Sequence, residues 1–582
     1  MDSIFSFFQD SVSFAVPMIV LLGLLIFVHE LGHFLVAKYY KVKVEVFSLG
    51  FGPKIFKFKR GDTTYAISAI PLGGYVKMFG DDPTAQVTGP DRDVAFNHKP
   101  VAQRIAVVLA GPLMNFFFAL VVFMIVGMIG ERAFAPQLGD IKPATAAFDS
   151  GLRSGDKITA VNGAKVETWE QLNQAIEANP EKSITLQVER DGQATEVAAT
   201  PKRIENKNVM SWADEVGAIE GVSLSARSSI IGVESPKSAA GVAGVKPGDM
   251  IVAINGQKID KWRELLSTLE ANASAKEIKV GVRRDYLTTD AETAPIELTV
   301  QVPAQAHGKK GNELLAALGM ENPEVYLLGF DQPKLSLLGK AKNSLSGTQF
   351  VPMAPAERAG LKVGDKLVAI DDQKVETFEQ VSAIVRGHKD ETKAMKIAFI
   401  REGQRQEVTV QPNVKERMSS NFKEEKRFEI GIRPMIVDAV PATTIWKSSN
   451  PLAALERGFG QTMKWTSITI LGFVRLFENK VSAKNIGGFF SIGQMAQKSW
   501  EIGISQFLNV MAIISLNLFI LNLLPVPVLD GGHLVFFTIE AIKGAPLSLR
   551  KLEIAQQVGM VLLLSLMVFA LFNDFSRMFG GS

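Results

Sequence analysis

The chain has 582 residues, 47% of them apolar and 21% charged, with a formal net charge of +3. A balance this close to neutral excludes the strongly basic face of a nucleic-acid binder, so no nucleic-acid partner is expected. Cysteine is absent, which excludes disulfides, thiolate metal sites and a cysteine nucleophile.

The apolar residues are concentrated at the two ends. A bilayer crossing needs roughly 20 mostly apolar residues at about 1.5 Å rise each. Four runs meet that length: 12–37, 105–129, 507–529 and 554–572. The flank Met1 to Asp10 has no Lys or Arg and two Asp, and no small-residue cleavage site follows, so the first run is expected to be a retained span and not a signal peptide. A fifth stretch, Phe459 to Phe477, carries Lys464 and Arg475 and is expected to be an amphipathic helix lying on the membrane, within a region 450–500. The fold class expected is an α-helical polytopic membrane protein of about four transmembrane helices with inserted α/β domains.

Lys and Arg set the orientation. Lys38, Lys41, Lys43, Lys54, Lys57, Lys59 and Arg60 follow the first span, Lys99 and Arg104 precede the second, and Lys543, Arg550 and Lys551 separate the last two. These loops are expected on the cytoplasmic side. Both termini and the region from about Gly130 to Ser505 then lie on the far side, which is the periplasm in a Gram-negative cell.

The far-side region repeats itself. The pairs Gly155–Asp156, Gly248–Asp249 and Gly364–Asp365 each precede a short apolar strand and a second turn at Asn162–Gly163, Asn255–Gly256 or Asp371–Asp372. A helical stretch follows each, beginning at Trp169, Trp262 and Phe378. The order of turn, strand, helix and closing strand pair resembles PDZ domains of the bacterial protease type. The resemblance places three units at 136–204, 220–304 and 325–414, and implies extended peptides as ligands; spacers without a ligand are the bland reading.

Within the first span, His29, Glu30 and His33 form a His-Glu-x-x-His pattern. Positions i and i+4 share a helix face, so both histidines can hold one metal ion, with Glu30 beside them to take a proton from water. Ionisable groups at membrane depth are costly, about 2.5 kcal/mol or more for a charged one, and a metal offsets that cost. Zinc wants a third protein ligand and an open position. The third span supplies Asp530, in a stretch broken by Pro525, Pro527, Gly531 and Gly532. Irregular backbone at membrane depth survives only where protein or a water cavity covers it. His33 and Asp530 both fall in the cytoplasmic half of their spans. His98, His307 and His388 are expected at the surface, and His533 is expected near the site without ligating.

With Asn522, Pro525, Asp530 and Gly531 in one broken span and the His-Glu-x-x-His helix in another, the chain resembles the site-2 protease family of intramembrane zinc metalloproteases. Gly50 to Pro53, Ile70 to Tyr75 and Leu109 to Asn115 add to the resemblance, which spans nearly the whole chain. It implies Zn2+ held by His29, His33 and Asp530, with Glu30 as general base and acid. It implies substrate contacts from Asn522, Pro525, Ile67, Ala69, Gly73 and Tyr75, the last four on a membrane-associated hairpin within 39–104. The layout that follows puts the motif-bearing first span at 1–38, the second at 105–130, the third at 506–541 and the fourth at 553–573. The implied partner is a single-span membrane protein in the bilayer of the bacterial inner membrane. An anti-sigma factor in envelope stress signalling is the first such substrate class and remnant signal peptides are the second. The periplasmic PDZ units would gate access. The alternative is a membrane-tethered PDZ scaffold with an inactive metal site. A non-haem iron oxygenase leaves Glu30 without a task, and a transporter would want an inverted repeat.

Overall fold

In a computed structural model of the chain, residues 2–81, 87, 89–284, 294–330, 353–418 and 424–580 are described. Four of its helices are long and apolar enough to cross a membrane: Ser13–Tyr39, Val101–Ile129, Ile504–Leu523 and Leu549–Ser576. They belong to α1 (Asp2–Tyr39), α2 (Val101–Ile129), α5 (Ile504–Leu523) and α7 (Leu549–Gly580). Between them lie α3 (Pro451–Phe477), α4 (Phe489–Ile502) and α6 (Asp530–Lys543). The protein is thus a polytopic helical membrane protein carrying inserted α/β units.

The third span is shorter than expected. It stops at Leu523, not Leu529, because Pro525 and Pro527 lack the N–H a continuing helix needs. Residues 524–529 turn instead, with Val526 N donating to Leu524 O at 2.7 Å and Leu529 N to Val526 O at 2.8 Å. A new helix, α6, then starts at Asp530.

Apolar packing joins the spans. Leu21 and Leu25 of α1 meet Phe507, Met511 and Ile514 of α5, and Val122, Phe123 and Val126 of α2 meet Ala512 and Leu516. α3 crosses α2 closely, since a Cβ on Gly458 would stand 2.9 Å from Met124 N. Thr469 on α3 donates to Asn517 of α5 at 2.8 Å. α7 is the least packed, with 6% of its apolar window buried against 28%, 39% and 44% in the others, so its surface is left for lipid.

After α1 the chain forms two long bent strands, β1 (Val44–Arg60) and β2 (Thr63–Met78). They double back on themselves. Residues 44–49 face 74–78 on one side and 64–67 on the other, while 54–60 pair with 63–68. Gly50 makes the bend, with φ +87° and its Cα facing Ile70 O so closely that a Cβ would stand 2.6 Å away. The order 54–60, 63–68, 44–49, 74–78 leaves segment 74–78 at the edge beside α1.

The inserted region enters through strand Glu131–Phe134 and leaves through Thr443–Trp446, which pair with each other. A Glu131–Arg457 ion pair ties that ribbon to α3. Three four-stranded sheets share one strand order, 2-1-3-4 counted along each unit. The repeated Gly–Asp turn does the same job in each. Asp156 takes two bonds from Arg190, both 2.7 Å, Asp249 two from Arg284 at 2.8 and 3.0 Å, and Asp365 two from Arg401, both 2.7 Å. The same arginines cap Gly151 O, Gly244 O and Gly360 O. Each aspartate also accepts the backbone N–H three residues before it. The middle unit differs: helix Gly311–Leu318 buries Leu314, Leu315 and Leu318 in one core with Leu265 and Leu269 of the unit's main helix. Residues 331–352 of the third unit lie outside the described residues.

Candidate active site

α1 and α2 cross where their side chains are smallest. A Cβ on Gly32 would stand 2.3 Å from Ala110 O, and one on Gly111 would stand 2.2 Å from Nε2 of His33. These two glycines let the backbones approach, and they let the His33 ring lie over α2. His33 Nδ1 meets Val107 O at 2.9 Å, which leaves Nε2 for His29 and Asp530.

The break after α5 delivers the third group. A Cβ on Gly531 would stand 2.2 Å from Leu524 O, and one on Gly532 would stand 2.3 Å from Val526 O. Only glycines allow the first turn of α6 to fold back against the break. Asp530 therefore begins a helix, where the partial positive charge of free N–H groups favours its carboxylate.

His29, His33 and Asp530 converge, although 501 residues separate the first from the last. Nε2 of His29 is 3.2 Å from Nε2 of His33 and 3.1 Å from Oδ2 of Asp530, and His33 Nε2 is 3.5 Å from the same oxygen. A metal with tetrahedral bonds of about 2.0–2.1 Å holds its donors about 3.3 Å apart. The three measured separations bracket that value. Asp530 Oδ2 is buried and accepts no well-directed hydrogen bond from either ring. Two imidazole nitrogens and a carboxylate oxygen within 3.5 Å of one another form a set of donors that one cation could share. It is the one such cluster of His, Asp and Glu found among the described residues. The residues fit a tetrahedral cation that accepts two imidazoles and a carboxylate, which is zinc's preference.

Glu30 borders the same cavity, of about 870 Å³, on the side of Tyr75 and Val76. Its carboxylate reaches the backbone of Val76, and its Cγ is 3.3 Å from where a Cβ on Gly74 would stand. Asp81, Asn97, Arg104 and Glu540 add polar groups to the cavity wall. Arg104 grips Glu540 through two bonds of 3.1 and 2.6 Å, which fastens α6 to the start of α2.

Other expected site residues fall elsewhere. Tyr75 lines the cavity, whereas Asn522, Pro525, Ile67, Ala69 and Gly73 are not among the residues of its wall. Asn522 lies in the last turn of α5 and Pro525 in the break. Ile67 pairs with Leu49 and Phe56, two segments from the edge. Ala69 is exposed just past that inner segment, and Gly73 leads into the edge with its Cα against the Phe51 ring. His533 lines the cavity beside Phe536 and Phe537 without joining the donor cluster. Sequence reasoning used Arg104 only to orient the second span, passed over Val107 and Glu540, and gave no role to Gly111 and Asn115. The signal for the last two was present as a glycine and an amide on one face of an apolar helix.

The family model for peptidase family M50 matches residues 17–566. The regulator of sigma-E protease RseP of Escherichia coli (strain K12) is 29% identical over 585 residues, covering 98% of this chain and 100% of that protein. Protease RseP of Yersinia pestis is 29% identical over 567 residues, covering 96% and 98%. A Vibrio cholerae protein whose name assigns it, provisionally, to the zinc metalloproteases is 29% identical over 568 residues, covering 97% and 98%. The chain belongs to peptidase family M50 and is a zinc metalloprotease of the site-2 type.

Proposed function

We propose that this protein is an intramembrane endopeptidase that cuts the spans of single-span membrane proteins. The observation that carries the reading is the convergence of His29, His33 and Asp530 from two apolar helices, with Glu30 beside them. His29, His33 and Asp530 hold the metal. Zinc bound there supplies a Lewis acid that polarises the scissile carbonyl and acidifies a water. Glu30 takes the proton from the attacking water, holds it, and gives it to the leaving amine nitrogen. His33 is kept in its orientation by Val107 O.

A helical peptide bond is shielded by its own hydrogen bonds, so the substrate must be extended before attack. The edge segment 74–78 lies beside Glu30, and a substrate strand added there would keep its own backbone groups satisfied where water is scarce. Gly73 and Tyr75 then serve the substrate directly, while Ile67 and Ala69 support the sheet behind that edge. Asn522 and Pro525 shape the break that carries Asp530. Water reaches the site from the cytoplasmic end through Asp81, Asn97, Arg104 and Glu540.

The protein sits in the bacterial inner membrane, with the PDZ units and both termini periplasmic. The units act as a size filter ahead of the site. The middle unit favours that role over peptide capture, because helix Gly311–Leu318 already covers its main helix. The name of the Escherichia coli relative points to sigma-E regulation, which makes a single-span anti-sigma factor the first substrate class to test and remnant signal peptides the second. A detergent cleavage assay with a model single-span substrate, native against Glu30→Gln, tests the reading. Cleavage within the span by the native protein alone supports it. Equal product from both variants, or cleavage confined to extramembrane segments, contradicts it.

A further inference from the structure

The two histidines meet α2 along a single face. Val107, Gly111 and Asn115 are spaced i, i+4 and i+8, so they lie one above another. Val107 O accepts from His33, and Gly111 makes room for its ring. Asn115 stands under His29, with its amide nitrogen 3.4 Å from His29 Nδ1. Asn115 is 0% exposed, and its Oδ1 is buried with no hydrogen-bond partner among the described residues.

A neutral imidazole that offers Nε2 to a metal carries its proton on Nδ1. At a buried site that proton needs an acceptor, and leaving it bare costs about 1–3 kcal/mol. Two donors cannot face each other at His29 Nδ1. A half-turn of the Asn115 amide exchanges its oxygen and nitrogen in the same space. That turn gives the buried Oδ1 a donor and the Nδ1–H an acceptor in one step.

We propose that Asn115 is the positioning residue of His29: its amide carbonyl accepts the Nδ1–H bond, fixes Nε2 as the metal donor and holds the ring toward Asp530. The inference rests on the zinc reading of the site. It has a second anchor, since Ser515 Oγ donates to the backbone oxygen of Asn115 at 2.8 Å. Ser515 belongs to α5, the helix that leads into the break before Asp530. Asn115 thus joins the segment of one donor to that of another.

The test is zinc affinity of the full-length protein in detergent, measured by competition with a chromophoric chelator. Native protein is compared with Asn115→Leu, which keeps bulk without an acceptor, and Asn115→Asp, which keeps the acceptor. The thermal midpoint of each zinc-free protein is recorded alongside. Loss of an outer partner of a ligating histidine lowers metal affinity about 10–100-fold. Asn115→Leu is expected to show that loss with its zinc-free midpoint near native, and Asn115→Asp to match or exceed native affinity. Where Asn115→Leu does not fold, Asn115→Ala removes the acceptor without bulk and is expected to show the same loss. Native-like affinity in the acceptor-free variant overturns the inference, as does a loss in Asn115→Asp equal to that in Asn115→Leu. A native protein that binds no zinc overturns the metal reading itself, an outcome distinct from either.

Discussion

The repeated α/β units and the membrane site both bury carboxylates, and they treat them in opposite ways. Asp156, Asp249 and Asp365 are 1–2% exposed, and each is met by an arginine and a backbone N–H from its own unit. Asp530 is met by two histidine nitrogens from a helix far away in sequence, with no well-directed bond between them. Burying a charge is costly unless it is paired and hydrogen-bonded. The first arrangement meets that cost within the fold and is structural. The second leaves that cost for the proposed cation to meet.

The largest break in this comparison is removal of Asp530. Asp530→Ala is expected to abolish zinc retention through dialysis and cleavage with it, by more than about 100-fold, since loss of an outer partner alone costs about 10–100-fold. The three α/β units should melt as before, which circular dichroism would check. The converse change is Asp365→Ala. It strands Arg401 and leaves Lys362 N without its acceptor, and should destabilise the third unit by about 3 kcal/mol. Arg401 is partly exposed, so the cost falls at the low end for a buried pair. Chemical denaturation reads that loss, while zinc content should stay native. Gly111→Ala sharpens the contrast on the membrane side. Its Cβ would press on His33, at about 1–3 kcal/mol of overpacking, and should raise the rate of zinc loss to a chelator. The smallest effect concerns a helix cap. Thr168 and Gln171 cap helix Trp169–Glu177 reciprocally, so Thr168→Ala should cost about 1 kcal/mol of first-unit stability, with cleavage of a short substrate unchanged.

The sequence made the donor set legible because two of its members share a helix face and the third sits in a span broken by prolines. The four spans were legible by length and hydropathy, with ends shifted by a few residues. The third was misjudged in extent, since an apolar run continues past Leu523 even where Pro525 and Pro527 end the helix. What stayed hidden was long-range. Nothing local says that Asn115 lies under His29, or that Arg104 reaches Glu540. The hairpin hid most. Alternation marked Ile67 and Ala69 as readily as Tyr75, and only the bend at Gly50 decides that 74–78 forms the edge beside Glu30. The Gly–Asp repeats were plain as a pattern, whereas their arginine partners, about 35 residues on, needed the fold.

The most direct test compares native protein and Glu30→Gln in detergent, recording zinc per chain and cleavage of a single-span substrate in both. General acid–base catalysis contributes about 10²–10⁴-fold, so the variant should hold about one zinc and lose cleavage by that factor. Full cleavage by the zinc-loaded variant would contradict the role of Glu30, and absence of zinc from the native protein would contradict the site.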